Sequence, residues 1–147
     1  MTDHWPQLPT GVPLTGGYEI GFCYCTAGVT EGYAVKVGTH ATGKVPVTVS
    51  AGVGDGIGIV LKTETAGNYA PVLFYGAIKL DTSSNVTIGD IVMGASGGAT
   101  VMKPTFITTS PATLLLKAFG SNSYLLGMAM QTATSGDEIV VLVGKVL

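Results

Sequence analysis

Few residues of this 147-residue chain have types and spacing suited to chemistry. Cys23 and Cys25 lie two positions apart, and two such residues on a strand point to the same face, where they rarely reach disulfide geometry. His4 and His40 show no metal-ligand spacing. We interpret the cysteines as small buried side chains, and we expect no metal, no cofactor and no catalytic residues.

Other patterns that resemble active-site motifs are better explained as turns. Gly54-Asp55-Gly56-Ile57-Gly58 is rich in glycine, but no helix pattern follows it, as a phosphate loop or dinucleotide site requires. Asp90 and Asp137 each follow a glycine at the start of a strand pattern, which is typical of turn residues. Neither histidine stands in a nucleophile context, and the motifs of dUTPase-type hydrolases are absent. The sequence therefore predicts that the protein is not an enzyme.

One lysine resembles a cofactor attachment site. Val101-Met102-Lys103-Pro104 is similar to the Met-Lys hairpin of biotinyl and lipoyl carrier domains, which are also small duplicated β-structures. However, proline follows Lys103, the preceding Gly-Gly-Ala-Thr is not the acidic context of that motif, and Lys103 does not fall at a central turn between two halves. A carrier domain is therefore an alternative that the sequence disfavours.

The composition narrows the range of partners. Charged residues make up 11% of the chain, against about 25% in a typical domain. The surface must therefore be rich in Thr, Ser, Gly and small apolar groups. Such a surface favours association with other subunits. The seven basic residues are all Lys and the net charge is −2, which disfavours nucleic-acid binding. No apolar run approaches membrane-spanning length, and the N-terminus lacks a signal-peptide pattern. We expect synthesis in a cytoplasm and neither a membrane nor a small-molecule partner.

Residues 1–17 differ from the rest of the chain. Three prolines fall between positions 6 and 13, and proline lacks the N–H that the interior of a strand or helix requires. We therefore predict an extended N-terminal arm. Its apolar side chains need a surface to cover, and we predict that they contact either a neighbouring protein or the chain's own β-domain; these residues are Trp5, Leu8, Val12 and Leu14.

Residues 18–147 are predicted to form a single all-β domain of about nine to eleven short strands. Ser96-Gly97-Gly98-Ala99 has the composition of a tight hairpin, and residues 111–119 form either a short helix or another buried strand. The predicted strands are Tyr18–Cys25, Tyr33–Val37, Val45–Val49, Ile57–Leu61, Ala70–Tyr75, Ala77–Leu80, Asp90–Met93, Thr100–Met102, Leu125–Met130 and Glu138–Val143.

The most informative pattern is an internal duplication. Residues 58–73 align without gaps on residues 127–142, with six of sixteen positions identical. Each copy has an apolar strand, a Thr-x-Thr-[Ala/Ser]-Gly-[Asn/Asp] turn and a second apolar strand. Upstream, Gly32–Val37 also resembles Gly89–Gly94. A solenoid needs at least three repeats, so two copies indicate a compact barrel or sandwich with pseudo-twofold character.

The order of these elements resembles the capsid decoration (cement) proteins of tailed phages, the family related in architecture to the lambda head-decoration protein. The resemblance rests on the Gly-x-[Ala/Ile]-Val-[Lys/Met] strand, the repeated Thr-x-x-Gly hairpin and the segment Val86-Thr87-Ile88-Gly89-Asp90-Ile91-Val92. It covers about residues 28–147, and the segment 104–123 departs from it.

The resemblance implies a small β-tulip-like barrel or sandwich with an N-terminal arm. It also implies a homotrimer that binds the major capsid protein on the exterior of the virion, at threefold or quasi-threefold sites, and stabilises the shell. A tail or baseplate interaction module has a similar composition, and the sequence does not separate the two.

Overall fold

Within the residues that the structure describes, the chain forms nine β-strands and no helix. The computed structural model describes residues 18–50, 54–102 and 125–144. The strands are β1 (Glu19–Cys25), β2 (Ala34–Val37), β3 (Pro46–Val49), β4 (Gly58–Val60), β5 (Tyr69–Asp81), β6 (Ile91–Gly94), β7 (Val101–Met102), β8 (Gly127–Ala129) and β9 (Glu138–Val143). In this part of the chain no helix is long and apolar enough to cross a membrane. The predicted all-β fold class is confirmed.

The first five strands close into a ring. β1 pairs with β3 in parallel, β3 pairs with β2, β2 with β4 and β4 with β5, and the first half of β5 returns to pair with β1. All pairings except that of β1 with β3 are antiparallel. This first ring is a small β-barrel, closed where β1 pairs with β3 at Tyr24 and Cys25.

The last five strands repeat this arrangement, and β5 belongs to both rings. The second half of β5 pairs with β9, β9 with β8, β8 with β6 and β6 with β7. An isolated parallel bridge between Thr82, directly after β5, and Val101 completes the second ring. This bridge corresponds to the parallel pairing of β1 with β3, so the two rings have the same topology.

The duplication extends to individual hydrogen bonds. Val29 and Glu64 exchange two backbone hydrogen bonds in the first ring, and Val86 and Ala133 exchange the corresponding pair in the second. The Thr63 hydroxyl accepts a hydrogen bond from the Glu31 N–H at 3.0 Å. The Thr132 hydroxyl accepts one in the same way, from the Ile88 N–H at 2.9 Å. The internal repeat predicted from the sequence is therefore confirmed as a repeat of structure.

The buried side chains form two clusters, one within the first ring and one that joins both rings. One cluster belongs to the first ring and includes Val35, Val47 and Val72. The other includes Val92, Val101 and Val141 of the second ring, and also Ile59 and Leu73 from the first. The rings therefore share apolar contacts as well as a strand, and burial of these side chains is the main contribution to their stability.

One strand boundary differs from the sequence prediction. The sequence predicts two separate strands, Ala70–Tyr75 and Ala77–Leu80, because Gly76 lies between them. In the structure, β5 runs through both segments. Gly76 has a φ of 140°, so it changes the direction of β5 without ending it. The predicted hairpin at residues 96–99 is confirmed by the antiparallel pairing of β6 with β7, and residues 111–119 lie outside the described residues.

Candidate interaction surface

The two cysteines are buried and unbridged. Cys23 and Cys25 point into the first ring and are 1% and 0% exposed. Burial raises the pKa of both thiols. The charge of Cys25 raises the Cys23 pKa further, and that of Glu64 raises the Cys25 pKa, while a hydrogen bond with the Ala70 backbone lowers it. A buried neutral thiol is a poor nucleophile and a poor metal ligand, so the interpretation as small buried side chains is confirmed.

The two aspartates that follow glycines act within turns. The Asp90 carboxylate accepts a hydrogen bond from the Thr87 N–H at 2.8 Å. The Asp137 carboxylate accepts hydrogen bonds from the Thr134 N–H and hydroxyl, at 3.2 and 2.9 Å. Asp55 of the glycine-rich segment forms an ion pair with Lys36 at 3.5 Å and accepts a hydrogen bond from the Ser50 hydroxyl. The predicted roles as turn residues are confirmed.

The described residues contain no group of three or more His, Cys, Asp or Glu side chains placed to hold a metal ion. His40 is exposed in the turn between β2 and β3. His4, Lys103 and the arm residues Trp5, Leu8, Val12 and Leu14 lie outside the described residues.

The most unusual surface is the outer side of the β1–β5 pair. Because Cys23 and Cys25 point inward, the alternate residues of β1 point outward. They are Ile20, Phe22 and Tyr24, and Phe22 is 71% exposed. Across the pair, Phe22 lies opposite Pro71 and Tyr24 opposite Tyr69. We call this surface the aromatic face; it consists of Tyr18, Ile20, Phe22, Tyr24, Tyr69 and Pro71.

The aromatic face is ordered by its own contacts. The Tyr24 and Tyr69 rings meet edge to face, with centroids 5.7 Å apart and an angle of 65° between their planes. The Lys44 ammonium lies 4.0 Å from the centre of the Tyr24 ring, a cation–π contact. At the other end, Tyr18 packs so closely on Gly76 that a Cβ at Gly76 would lie 2.7 Å from the Tyr18 Cβ. The aromatic face therefore has a defined shape before any partner binds.

In the described part of the second ring, the positions equivalent to the aromatic face differ in character. There, Lys79 lies opposite Val140 and Asp81 opposite Glu138. These pairs occupy the places that Phe22–Pro71 and Tyr24–Tyr69 have in the first ring, so three of the equivalent side chains are charged. Since the same fold accepts Lys, Asp and Glu at these positions, the fold does not require exposed aromatic rings. An exposed apolar patch that the fold does not require is typical of an interaction site.

The sequence predicts a strand over Tyr18–Cys25 but not the outward orientation of its aromatic residues. The signal lies in side-chain size. The inward positions of β1 are Gly21, Cys23 and Cys25, and a Cβ at Gly21 would lie 2.9 Å from the Phe74 ring. A barrel interior that accepts only small side chains from β1 leaves the large residues of the same strand on the outside.

Comparison with known proteins identifies a structural relative but no family. No protein-family model and no curated protein sequence matches the chain. Among solved structures, the fold is similar to the N base of the head fiber protein gp8.5 of bacteriophage phi29, with a TM-score of 0.52 and 14% sequence identity. The match covers 86% of this chain and 94% of that chain. The similarity shows a shared fold, while the resemblance to decoration proteins stays a prediction.

Proposed function

We propose that the chain is a structural protein of a bacteriophage virion, which binds the outer surface of an icosahedral capsid and stabilises the shell. The observation that carries this proposal is the shared fold with the base of a phage head fiber, over 86% of the chain. The exposed aromatic face supports it, since such a surface suits contact with another protein. No catalysis and no bound cofactor form part of the proposed role.

The proposed assembly is a homotrimer at the threefold or quasi-threefold sites of the capsid, in contact with the major capsid protein. A low content of charge supports self-association, because few ionic groups need to be desolvated when subunits meet. A trimer also presents three copies of each weak contact to the shell, and their combined affinity exceeds that of one chain.

The arm is the proposed attachment device. Trp5, Leu8, Val12 and Leu14 would contact the capsid or a neighbouring subunit. A proline-rich segment loses little conformational freedom on docking, since its φ angles are already restricted. Burying one Trp and one Leu contributes on the order of 3–5 kcal/mol before those costs.

Cryo-electron microscopy of virions of the encoding phage, compared with virions lacking the gene, tests the proposal. We expect density for this chain on the head exterior at threefold or quasi-threefold sites. Heads without it should release DNA at a lower temperature. Density on the tail or baseplate would instead support the alternative interaction module, and absence from the virion would contradict both.

The arm is tested separately with a chain that starts at Tyr18, added to undecorated shells beside the full chain. If the shortened chain gives the circular dichroism spectrum of a folded β-protein and keeps the molecular mass of the full chain in solution but fails to bind, the arm is the attachment device. Equal binding by both chains would contradict that role and assign attachment to the β-domain.

A further inference from the structure

We infer that the aromatic face of one copy is the docking site for the N-terminal arm of a second copy. This inference goes beyond shell binding and rests only on the self-association part of the proposed function. It assigns a partner to a surface of the first ring whose aromatic side chains the fold does not require.

The chemistry of the aromatic face fits the arm. Aromatic-lined surfaces bind extended, proline-rich segments, because the flat rings pack against proline and against the apolar side chains between prolines. The arm has prolines at positions 6, 9 and 13, between Trp5 and Leu14. Asp3 is its single acidic residue. The equivalent surface of the second ring, with Lys79, Asp81 and Glu138, offers no such site.

Strand pairing is disfavoured for the arm. Proline lacks the N–H that strand pairing needs, and three prolines fall between positions 6 and 13. Docking by side chains onto the outer side of β1 and β5 suits this segment better.

Lengths favour the arm of a second copy over the chain's own arm. From Tyr18 to Tyr24 the face spans six residues of strand, about 20 Å at roughly 3.3 Å per residue. An extended segment from Leu14 back to Trp5 spans about 28 Å at roughly 3.1 Å per residue. Tyr18 is fixed on Gly76 at one end of the face. An arm that turned back from there would therefore carry Trp5 past the opposite end.

The arm of a second copy has no such tether, so its Trp5 reaches Phe22 and Tyr69. Each copy then gives one arm and receives one, which makes the contact head-to-tail. Head-to-tail contacts between identical chains close into rings or extend into filaments, depending on the rotation between copies, and a ring of three agrees with the proposed trimer.

Trp5 provides a direct probe, since it is the only tryptophan of the chain. Its emission maximum and its quenching by acrylamide would be measured on the full chain across a range of concentrations. Molecular mass would be followed in parallel by analytical ultracentrifugation. We expect a blue shift and protection from quenching only at concentrations where the mass exceeds that of the monomer.

Substitutions taken from the second ring test the face. Phe22→Lys and Tyr69→Glu introduce the residue types that the second ring carries at the equivalent positions, so the fold should be retained, as checked by circular dichroism. Each should weaken association by about tenfold or more, the effect of losing one strong contact. The matched control is Ile88→Lys, which adds the same charge at an apolar residue 63% exposed on the second ring; it should associate like the wild type.

A mixing experiment distinguishes exchange between copies from docking within one chain. Phe22→Lys chains have an intact arm but a disrupted aromatic face. Trp5→Ala chains have an intact aromatic face but lack the tryptophan that would dock on it. Only the mixture should show a protected, blue-shifted Trp5.

Three results would overturn the inference: protection of Trp5 in the monomer, association with Trp5 still exposed, or a chain that stays monomeric with Trp5 exposed. None of them decides whether the chain binds capsids, which the virion experiment measures separately.

Discussion

At the scale of single residues, the two rings place different side chains on the same backbone. Cys25 and Thr82 occupy equivalent positions, and each lies fully buried in its ring. The single O–H of Thr82 donates to the carbonyl of Ser84 at 2.8 Å or of Val101 at 3.2 Å, which satisfies the polar group that burial would otherwise leave unpaired. The backbone thus fixes the burial of a position, while the side chain determines what that position does.

Gly127 is a position where the backbone leaves no room for a side chain. A Cβ there would lie against the Leu142 carbonyl and 2.9 Å from the Val143 Cα. We expect Gly127→Ala to reduce the free energy of unfolding by about 1–3 kcal/mol, as overpacked sites do. The measurement is urea unfolding followed by circular dichroism. Gly28→Ala is the control, because its Cβ would meet nothing closer than 3.8 Å; an equal loss in both variants would contradict the steric argument.

The cysteines should make stability depend on alkaline pH. Burial raises the pKa of Cys23 and Cys25 in the folded chain. The neutral thiols therefore make their full contribution to the free energy of unfolding below the pKa of an unfolded cysteine, about 8.5. This contribution is lost as the pH rises through the folded values, because the unfolded chain releases these protons first. The urea midpoint should therefore fall more steeply above about pH 8.5 in the wild type than in a Cys23→Ala, Cys25→Ala variant. Parallel profiles would contradict the prediction.

At the scale of elements, β5 connects the two rings. Its first half pairs with β1 and β4, and its second half with β9. Ile59 and Leu73 of the first ring also pack in the same buried cluster as Val141 of the second. Because a strand and an apolar cluster are shared, neither ring keeps all of its contacts when the other unfolds.

We therefore expect one cooperative unfolding transition. Val35→Ala and Val92→Ala remove equivalent buried side chains from the first and second rings, each 0% exposed in the wild type. Each should cost about 1–3 kcal/mol and lower hydrogen-exchange protection in the peptides of both rings. If Val92→Ala lowered protection only in β6–β9, the rings would be independent units.

Much of this fold follows from local sequence, and the ring closure does not. The two Thr-x-Thr turns and the apolar runs beside them identified β4, β8 and β9, because turn chemistry and alternation act over a few residues. The parallel contacts of β1 with β3 and of Thr82 with Val101 join segments about twenty residues apart. Such pairings depend on the whole ring rather than on a local pattern. For the same reason the outward orientation of Phe22 became clear only once the interior was known.

At the scale of the whole molecule, the aromatic face of the first ring is an exposed apolar surface, whereas the equivalent positions of the second ring carry charged residues. Phe22, Tyr69 and Tyr18 are each at least half exposed. With 11% charged residues in the chain, association is expected to depend on apolar contact rather than on ion pairs.

Self-association should therefore respond weakly to salt. Between 50 and 500 mM sodium chloride we expect the dissociation constant to change by less than about threefold, since screening acts on charges and not on apolar contacts. Sodium sulfate should strengthen association, because it is excluded from apolar surface. Analytical ultracentrifugation at several salt concentrations measures both effects. Weakening of about tenfold or more by sodium chloride would show instead that ion pairs dominate.

The placement of β1 within a closed ring also has a mechanical consequence. β1 is hydrogen-bonded to β5 from Glu19 to Tyr24, and to β3 at Tyr24 and Cys25. A pull applied at residue 18 along the strand loads the β1–β5 bonds in shear, so that many must break together, whereas a pull across the strand would open them one at a time. Rupture under tension is governed by the unfolding rate. A chain tethered through residues 1–17 would thus transmit force along β1 into the first ring.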